Sequence, residues 1–147
     1  MKLSQHFSQS EFEKSQYATR HGIDNTMGGD ALSSAKDLCG AILEPLRVKI
    51  QTPIIISSGF RCSKLNAAIG GASHSQHVYG MAADIEAIGL TNFELANMIK
   101  NMGLPYDQLI FEGRWVHVSH AVYNRGEVLT ANFSSKGVTY RTGLHES

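Results

Sequence analysis

Cysteine is almost missing from this chain: Cys39 and Cys62 are the only two in 147 residues. Two are too few for a disulfide framework or a cysteine-based zinc site. Cys39 falls in an apolar helical stripe and reads as a small core residue. Proline is also scarce, with three residues. No Pro- or Ser-rich linker, internal repeat or low-complexity segment divides the sequence, so residues 1–147 read as a single domain. No apolar run approaches the roughly 18 residues of a membrane span. The N-terminus, MKLSQHFSQSEFEKSQ, lacks the apolar stretch of a secretory signal. Those absences predict synthesis in the cytoplasm, so that any work outside the cell needs another exit route. Neither charge sign is in excess, because thirteen basic and thirteen acidic residues cancel. Net charge therefore gives no reason to expect nucleic acid or an anionic membrane as a partner.

What is present is globular. Hydrophobic residues make up 42% of the chain, which excludes wholesale disorder. At this length folding buries roughly two-thirds of the unfolded surface without help from disulfides or partners, and a monomer is expected. Ser8 and Glu11 have capping-box spacing and open a short helix carrying Phe12 and Tyr17. Ala31, Leu32, Ala35, Leu38, Cys39, Ile42, Leu43 and Leu46 repeat at helical spacing. Pro45 is expected to bend or stop that helix. The β-branched run Pro53–Ser57 reads as a buried strand, and Ala82–Ile85 as a second. Residues 64–69 suit one or two helical turns, and Gly70–Gly80 a loop. Thr91 and Glu94 form another capping box before a helix that Gly103 and Pro105 stop. Gln108–Phe111 and Trp115–Ser119 read as strands joined in a hairpin at Gly113-Arg114. Beyond Ala121, Val128–Thr130 and Val138–Tyr140 are strand-like but find no neighbour from pattern alone. Helices cluster early and strands late, which predicts an α+β fold.

Histidine is the abundant residue, with seven. His74, His77 and Asp84 lie in one dense polar segment, and His117 sits mid-strand further on. Two imidazoles and one carboxylate on separate elements can hold zinc and leave a fourth position for water. Zinc lowers the pKa of such water to about 7. An N/O donor set suits zinc better than Ca²⁺ or Mg²⁺. Gly80 and the small Ala82 allow the chain to turn sharply and return Asp84 to His77. Taken alone, a His-x6-Asp pair occurs by chance, and single histidines are more often surface or core groups.

Four pieces in order carry a resemblance. They are Ser58-Gly-Phe-Arg61; Asn66 with Gly70-Gly71; Ser75-Gln-His77 followed by Gly80, Ala82 and Asp84-Ile85; and Trp115-Val-His117-Val-Ser119. Together with His6-Phe7, Glu11-Phe12 and Glu44-Pro-Leu-Arg47 they resemble the zinc peptidases of peptidase family M15 over about residues 3–120. That family includes D-alanyl-D-alanine carboxypeptidases and phage endolysins cutting L-Ala–D-Glu. The resemblance implies the small α+β domain shared with the Hedgehog signalling domain, with a mainly antiparallel sheet and helices beside it. It implies Zn²⁺ held by His77, Asp84 and His117. It gives Arg61 the role of binding a substrate carboxylate or polarising the scissile carbonyl, for which a guanidinium fork is suited. It gives Ser75 a substrate hydrogen bond near the metal. Without it, Arg61 would read as a surface ion pair and Ser75 as a turn cap.

One position departs. Many members place an acidic or histidine base three residues before the last ligand, and here that residue is Arg114, which cannot act as one. Glu112 is the nearest carboxylate. On an ideal strand it faces away from His117, but a turn at Gly113 brings it round. Glu112 is therefore read as the general base, with a solvated hairpin charge as the equal alternative. His74 belongs to a polar loop or lines the cleft; His120 orients a ligand or faces solvent. Trp115 and Tyr79 are substrate contacts or core. Asp107 and Asn66 read as structural groups, and His6, His21 and His145 receive no role. The expected function is zinc-dependent hydrolysis of a stem-peptide bond of peptidoglycan, after phage-type release to the cell wall. The bond is D-Ala-D-Ala or L-Ala–D-Glu. The alternative is a non-catalytic zinc-binding module of the cell wall or virion.

Overall fold

The structure is a computed structural model and describes residues 1–146. Capping sets where the short helices begin. Ser8 accepts a hydrogen bond from the Glu11 N–H, and the Glu11 carboxylate accepts one from Ser8, opening α1 (Gln9–Glu13). Thr91 and Glu94 do the same at α6 (Asn92–Asn101). Phe12 is fully buried. Tyr17 is not on the first helix. Lys14 is extended, Ser15 caps a new helix, α2 (Gln16–Arg20), and Tyr17 is left exposed on it.

The long apolar stripe forms one continuous run: α3 (Gly29–Leu38), a π-helical turn (Cys39–Leu43) and α4 (Glu44–Ile50). Pro45 does not end it. A proline ring removes one ladder hydrogen bond and crowds the carbonyl four residues back. The wider turn, in which the Glu44 N–H bonds the Cys39 carbonyl, opens the ladder just before the ring. Cys39 is buried in this stripe, and burial pushes its thiol up to about 12.

The strands are β1 (Ile54–Ser58), β2 (Ala82–Ala87), β3 (Gln108–Phe111), β4 (Val116–Ser119), β5 (Glu127–Ser134) and β6 (Gly137–Thr142). They form one sheet in the order β1-β2-β4-β3-β5-β6. Every pairing is antiparallel except β3 with β5. The fold is thus α+β. The run at Ile54 is an edge strand rather than a fully buried one, since Ile55 faces solvent. The unplaced tail supplies two strands. β5 lies parallel to β3, which no local hairpin signal announces, and β6 closes the sheet as its second edge. Between β1 and β2 lie α5 (Ser63–Ala68) and a 3₁₀ turn (Gln76–Tyr79) inside the expected loop.

Register divides the sheet into two faces. Ala83 pairs with Val118 and Ile85 with Val116, and all four are fully buried in the core with Leu38, Ile42 and Leu46 of the long helix and Leu95 and Ile99 of α6. The alternate residues, Asp84 paired with His117 and His117 with Ile110, point to the opposite face. Core packing therefore decides which side chains reach the other side.

Gly80 makes the return from the 3₁₀ turn into β2. Its φ is +73°, and a Cβ there would collide with the Ala31 backbone carbonyl of α3. Only glycine meets both conditions. Gly80→Ala is expected to lower unfolding stability by about 2 kcal/mol or more, from left-handed strain plus overpacking. Urea unfolding of wild type and variant measures it; equal midpoints would show that the turn is free to move.

Candidate metal centre

His77 sits in the 3₁₀ turn, Asp84 on β2 and His117 on β4. One ligand-type atom from each lies within 4.8 Å of the others. The Asp84 Oδ1 is 3.4 Å from His77 Nε2 and 3.1 Å from His117 Nδ1. A tetrahedral ion with bonds of about 2.0–2.1 Å has edges of roughly 3.3–3.4 Å, so these separations suit zinc. The loop leaving β1 clamps the turn. His77 donates its Nδ1–H to the Gly59 carbonyl at 2.6 Å, and the Arg61 N–H bonds the His77 carbonyl at 3.1 Å. The first bond engages Nδ1 and leaves Nε2 facing Asp84. Two imidazole nitrogens and one carboxylate oxygen fit a borderline metal. Burial pushes the Asp84 carboxyl up, but His117 and His77 outweigh it and hold the group well below the usual carboxylate range.

These residues line a cleft of about 460 Å³. Arg61 and Ser75 line it too, with the Arg61 Nη2 donating to the Ser75 Oγ at 3.2 Å. Ser75 also caps the turn, its hydroxyl accepting from the His77 N–H at 3.3 Å. Arg61 forms no ion pair among the described residues, and its buried Nε has no partner. Burial lowers its pKa, opposed by the Asp84 and Glu112 charges. A half-buried guanidinium without a carboxylate is an open position for an anionic group.

Glu112 is brought round as expected of a turn at Gly113. That glycine has φ +82°, and the Glu112 Oε2 stands 4.0 Å from His117 Nδ1. Burial, and next the Asp84 charge, raise the Glu112 carboxyl above its ordinary value, while His117 and Arg61 pull it back only in part. Arg114 is exposed in the turn.

Other residues fall differently. His74 and Trp115 line the cleft, and the buried Trp115 indole N–H has no partner. Tyr79 lines a separate hollow beside α3, not the cleft. His120 faces away, and its ring meets the Pro105 carbonyl at 2.8 Å rather than a ligand. Asn66 is structural, its amide donating to the Ala72 carbonyl at 2.8 Å. Asp107 is buried and binds Arg125 through Nε at 2.9 Å and Nη2 at 2.7 Å, and Gln76 through its amide at 2.8 Å. The Arg125 hydrogen bonds hold the Asp107 carboxyl well below the usual carboxylate range. Gln76, Gln108, Arg125 and Tyr140 also reach the cleft. Arg125 and Tyr140 come from the tail and belong to no motif, so nothing in the sequence pattern marked them.

The family model described as peptidase M15 matches residues 5–119. A relative, the zinc D-Ala-D-Ala carboxypeptidase of Streptomyces albus G, is 28% identical over 110 residues. The aligned stretch is 71% of this chain and 42% of that protein, so the chain spans less than half of the relative's length.

Purified protein is expected to take up about one zinc per chain. His117→Ala should lose most of it. Ligating imidazoles must be neutral, so affinity should fall in acid. Elemental analysis after zinc loading and desalting measures this; a folded wild type that retains no zinc would remove the site.

Proposed function

The chain belongs to the M15 peptidases, and from that premise we propose that it is a zinc-dependent hydrolase of a peptide bond in the peptidoglycan stem, acting as one domain over residues 1–147. The observation that carries this reading is the convergence of Glu112 and Arg61 on the His77–Asp84–His117 set within one cleft. The bond proposed is D-Ala-D-Ala, as in the relative's name, with L-Ala–D-Glu as the other member of the same reaction class. The proposed setting is the cell wall, reached by phage-type release.

His77, Asp84 and His117 would hold the ion. When bound, zinc supplies a Lewis acid that acidifies water and polarises a carbonyl. The chain's own groups do the rest. Glu112 takes the proton of the attacking water and delivers it to the leaving amine; a carboxyl raised by burial is better matched to both transfers at neutral pH. Arg61 offers its fork to the substrate's carboxylate or to the oxygen on which negative charge develops. Ser75, already bonded to Arg61, fixes that fork and offers its hydroxyl to the substrate. A zinc-binding module without turnover would need no carboxylate aimed at the ligands, and the approach of Glu112 supports the enzyme instead. Incubating zinc-loaded protein with muropeptides and weighing the products by mass spectrometry tests activity and bond together; intact muropeptides would sink this reading.

Glu112→Gln is expected to lower turnover by roughly 10²–10⁴-fold, the worth of a general base, with zinc content unchanged. A stability effect accompanies it in the metal-free protein. The folded carboxyl is raised, so the fold holds its proton more tightly than the unfolded chain does. Stability is lost as pH rises from the unfolded value through the folded one, and the penalty is fully present above both. Metal-free Glu112→Gln should therefore melt higher than wild type at pH 7, with the gap closing in acid. A variant that melts lower at pH 7 contradicts the sign. Arg61→Lys should keep the fold and lose much of the activity, because a point charge cannot replace a planar fork. Full activity in that variant would leave Arg61 a lining residue of the cleft with no part in the reaction.

A further inference from the structure

The face of the sheet that carries the ligands continues past the cleft. Parallel pairing sets Ile110 beside Leu129, and antiparallel pairing sets Ala131 opposite Tyr140 and Phe133 opposite Val138. Alternate residues share a face, so these six side chains form one apolar strip on the ligand side. Its inner end lies in the cleft, which Ile110 and Tyr140 line. Its outer end is open: Tyr140 is 53% exposed, Phe133 62% and Val138 43%. The other face of the same hairpin is polar, with Asn132, Thr139 and Arg141. The strip stands apart from the core on the far side of the sheet. An exposed apolar patch running on from a cleft is the mark of a binding surface. β5 and β6 also lie beyond the residues that match the family.

We propose that this strip is a subsite for the aminosugar strand that carries the stem peptide, with Tyr140 and Phe133 stacking on pyranose rings. The proposal rests on the peptidoglycan reading above. Three features choose the ligand. From Leu129 to Phe133 on β5 and from Val138 to Tyr140 on β6 the strip's own face carries no charged side chain, and the nearby charges of Glu112, Arg125 and Glu127 gather at its cleft end, so its outer part suits a neutral polymer rather than an ionic one. Aromatic bodies pack against the C–H faces of a sugar while its hydroxyls stay in water. The shelf is continuous with the cleft but open beyond it, which lets a polymer run past while its peptide branch enters. Three exposed apolar side chains also fall short of the roughly 800 Å² per partner that a stable second copy would cover.

The test uses the zinc-loaded chain of residues 1–147 and a peptide-free N-acetylglucosamine oligomer, titrated by NMR. Saturable shifts centred on the strip residues of β5 and β6, with Ile110 of β3 at its inner end, are expected. Phe133→Ala and Tyr140→Ala should each weaken binding about five- to tenfold, the worth of one aromatic anchor, with zinc content and melting temperature at wild-type values for Phe133→Ala. In hydrolysis, Phe133→Ala should lower the ratio of kcat/KM for glycan-linked over glycan-free stem peptide by about the same factor. No binding of the oligomer, or binding that both variants leave intact, overturns the proposal. Concentration-dependent dimerisation that Phe133→Ala abolishes would assign the strip to a second copy and overturn it as well. Should wild type cut neither peptide substrate, the hydrolase reading fails on its own, while the oligomer titration still decides the subsite.

Discussion

The register between β2 and β4 is the constraint on which the site depends. Asp84 and His117 are direct partners across that ladder. A slip of one residue would turn one of them into the core and separate the pair, because side chains alternate faces. What prevents the slip is on the other side of the sheet, where Ala83, Ile85, Val116 and Val118 are fully buried. Apolar burial worth about 25 cal/mol per Å² holds the register, and the register holds two ligands. The third ligand is positioned by different means. His77 lies off the sheet in a 3₁₀ turn, pinned by the Gly59 carbonyl on its ring and the Arg61 N–H on its backbone. The Ser-Gly-Phe-Arg segment thus serves twice, since the loop that clamps the ligand also carries the guanidinium into the cleft.

Local signals were legible in the sequence; distant pairings were not. Both capping boxes, the Thr91 helix and the hairpin around Gly113 follow from residues within a few positions of one another. Of the two effects expected of Pro45, a stop does not occur, because a π-helical turn opens the ladder just before the ring. Tyr17 was misread because a second cap at Ser15 restarts the chain. The tail strands were recognised as strand-like yet left unplaced. The parallel pairing of β5 with β3 joins segments with no tight turn between them, and period-two alternation does not name a partner. At the site, His77, Asp84, His117 and Arg61 were picked out by the resemblance to the M15 peptidases, since spacing alone left the histidines and the arginine with ordinary readings. Arg125 and Tyr140 were not, because they enter the cleft only through that long-range pairing.

Asp107 shows how the tail is tied in. Its buried carboxylate takes hydrogen bonds from Gln76 in the His77 turn and from the backbone and side chain of Arg125. Its backbone bonds Ser119 at the end of β4 and Glu127 at the start of β5. One residue therefore joins the turn that carries a ligand, the strand that carries another and the segment that brings β5 and β6 alongside. A buried charge is tolerated when it is paired and its lone pairs are filled, and removing a partner is costly. The tail is thus coupled to the site through a fully satisfied carboxylate rather than through apolar contact alone.

The cleft itself has the opposite character. Arg61 Nε, Gln76 Oε1 and Trp115 Nε1 are buried there without partners, and Glu112 is held where its charged form is disfavoured. A buried donor or acceptor that no protein group satisfies costs free energy unless another molecule supplies the bond. These costs gather on one side of the sheet, and the tightly packed apolar core lies on the other. That separation allows the site to stay polar: groups without protein partners at the cleft are tolerated because the apolar packing lies on the other face. The polar groups are then free to interact with an ion, a carboxylate or a leaving amine instead of with one another.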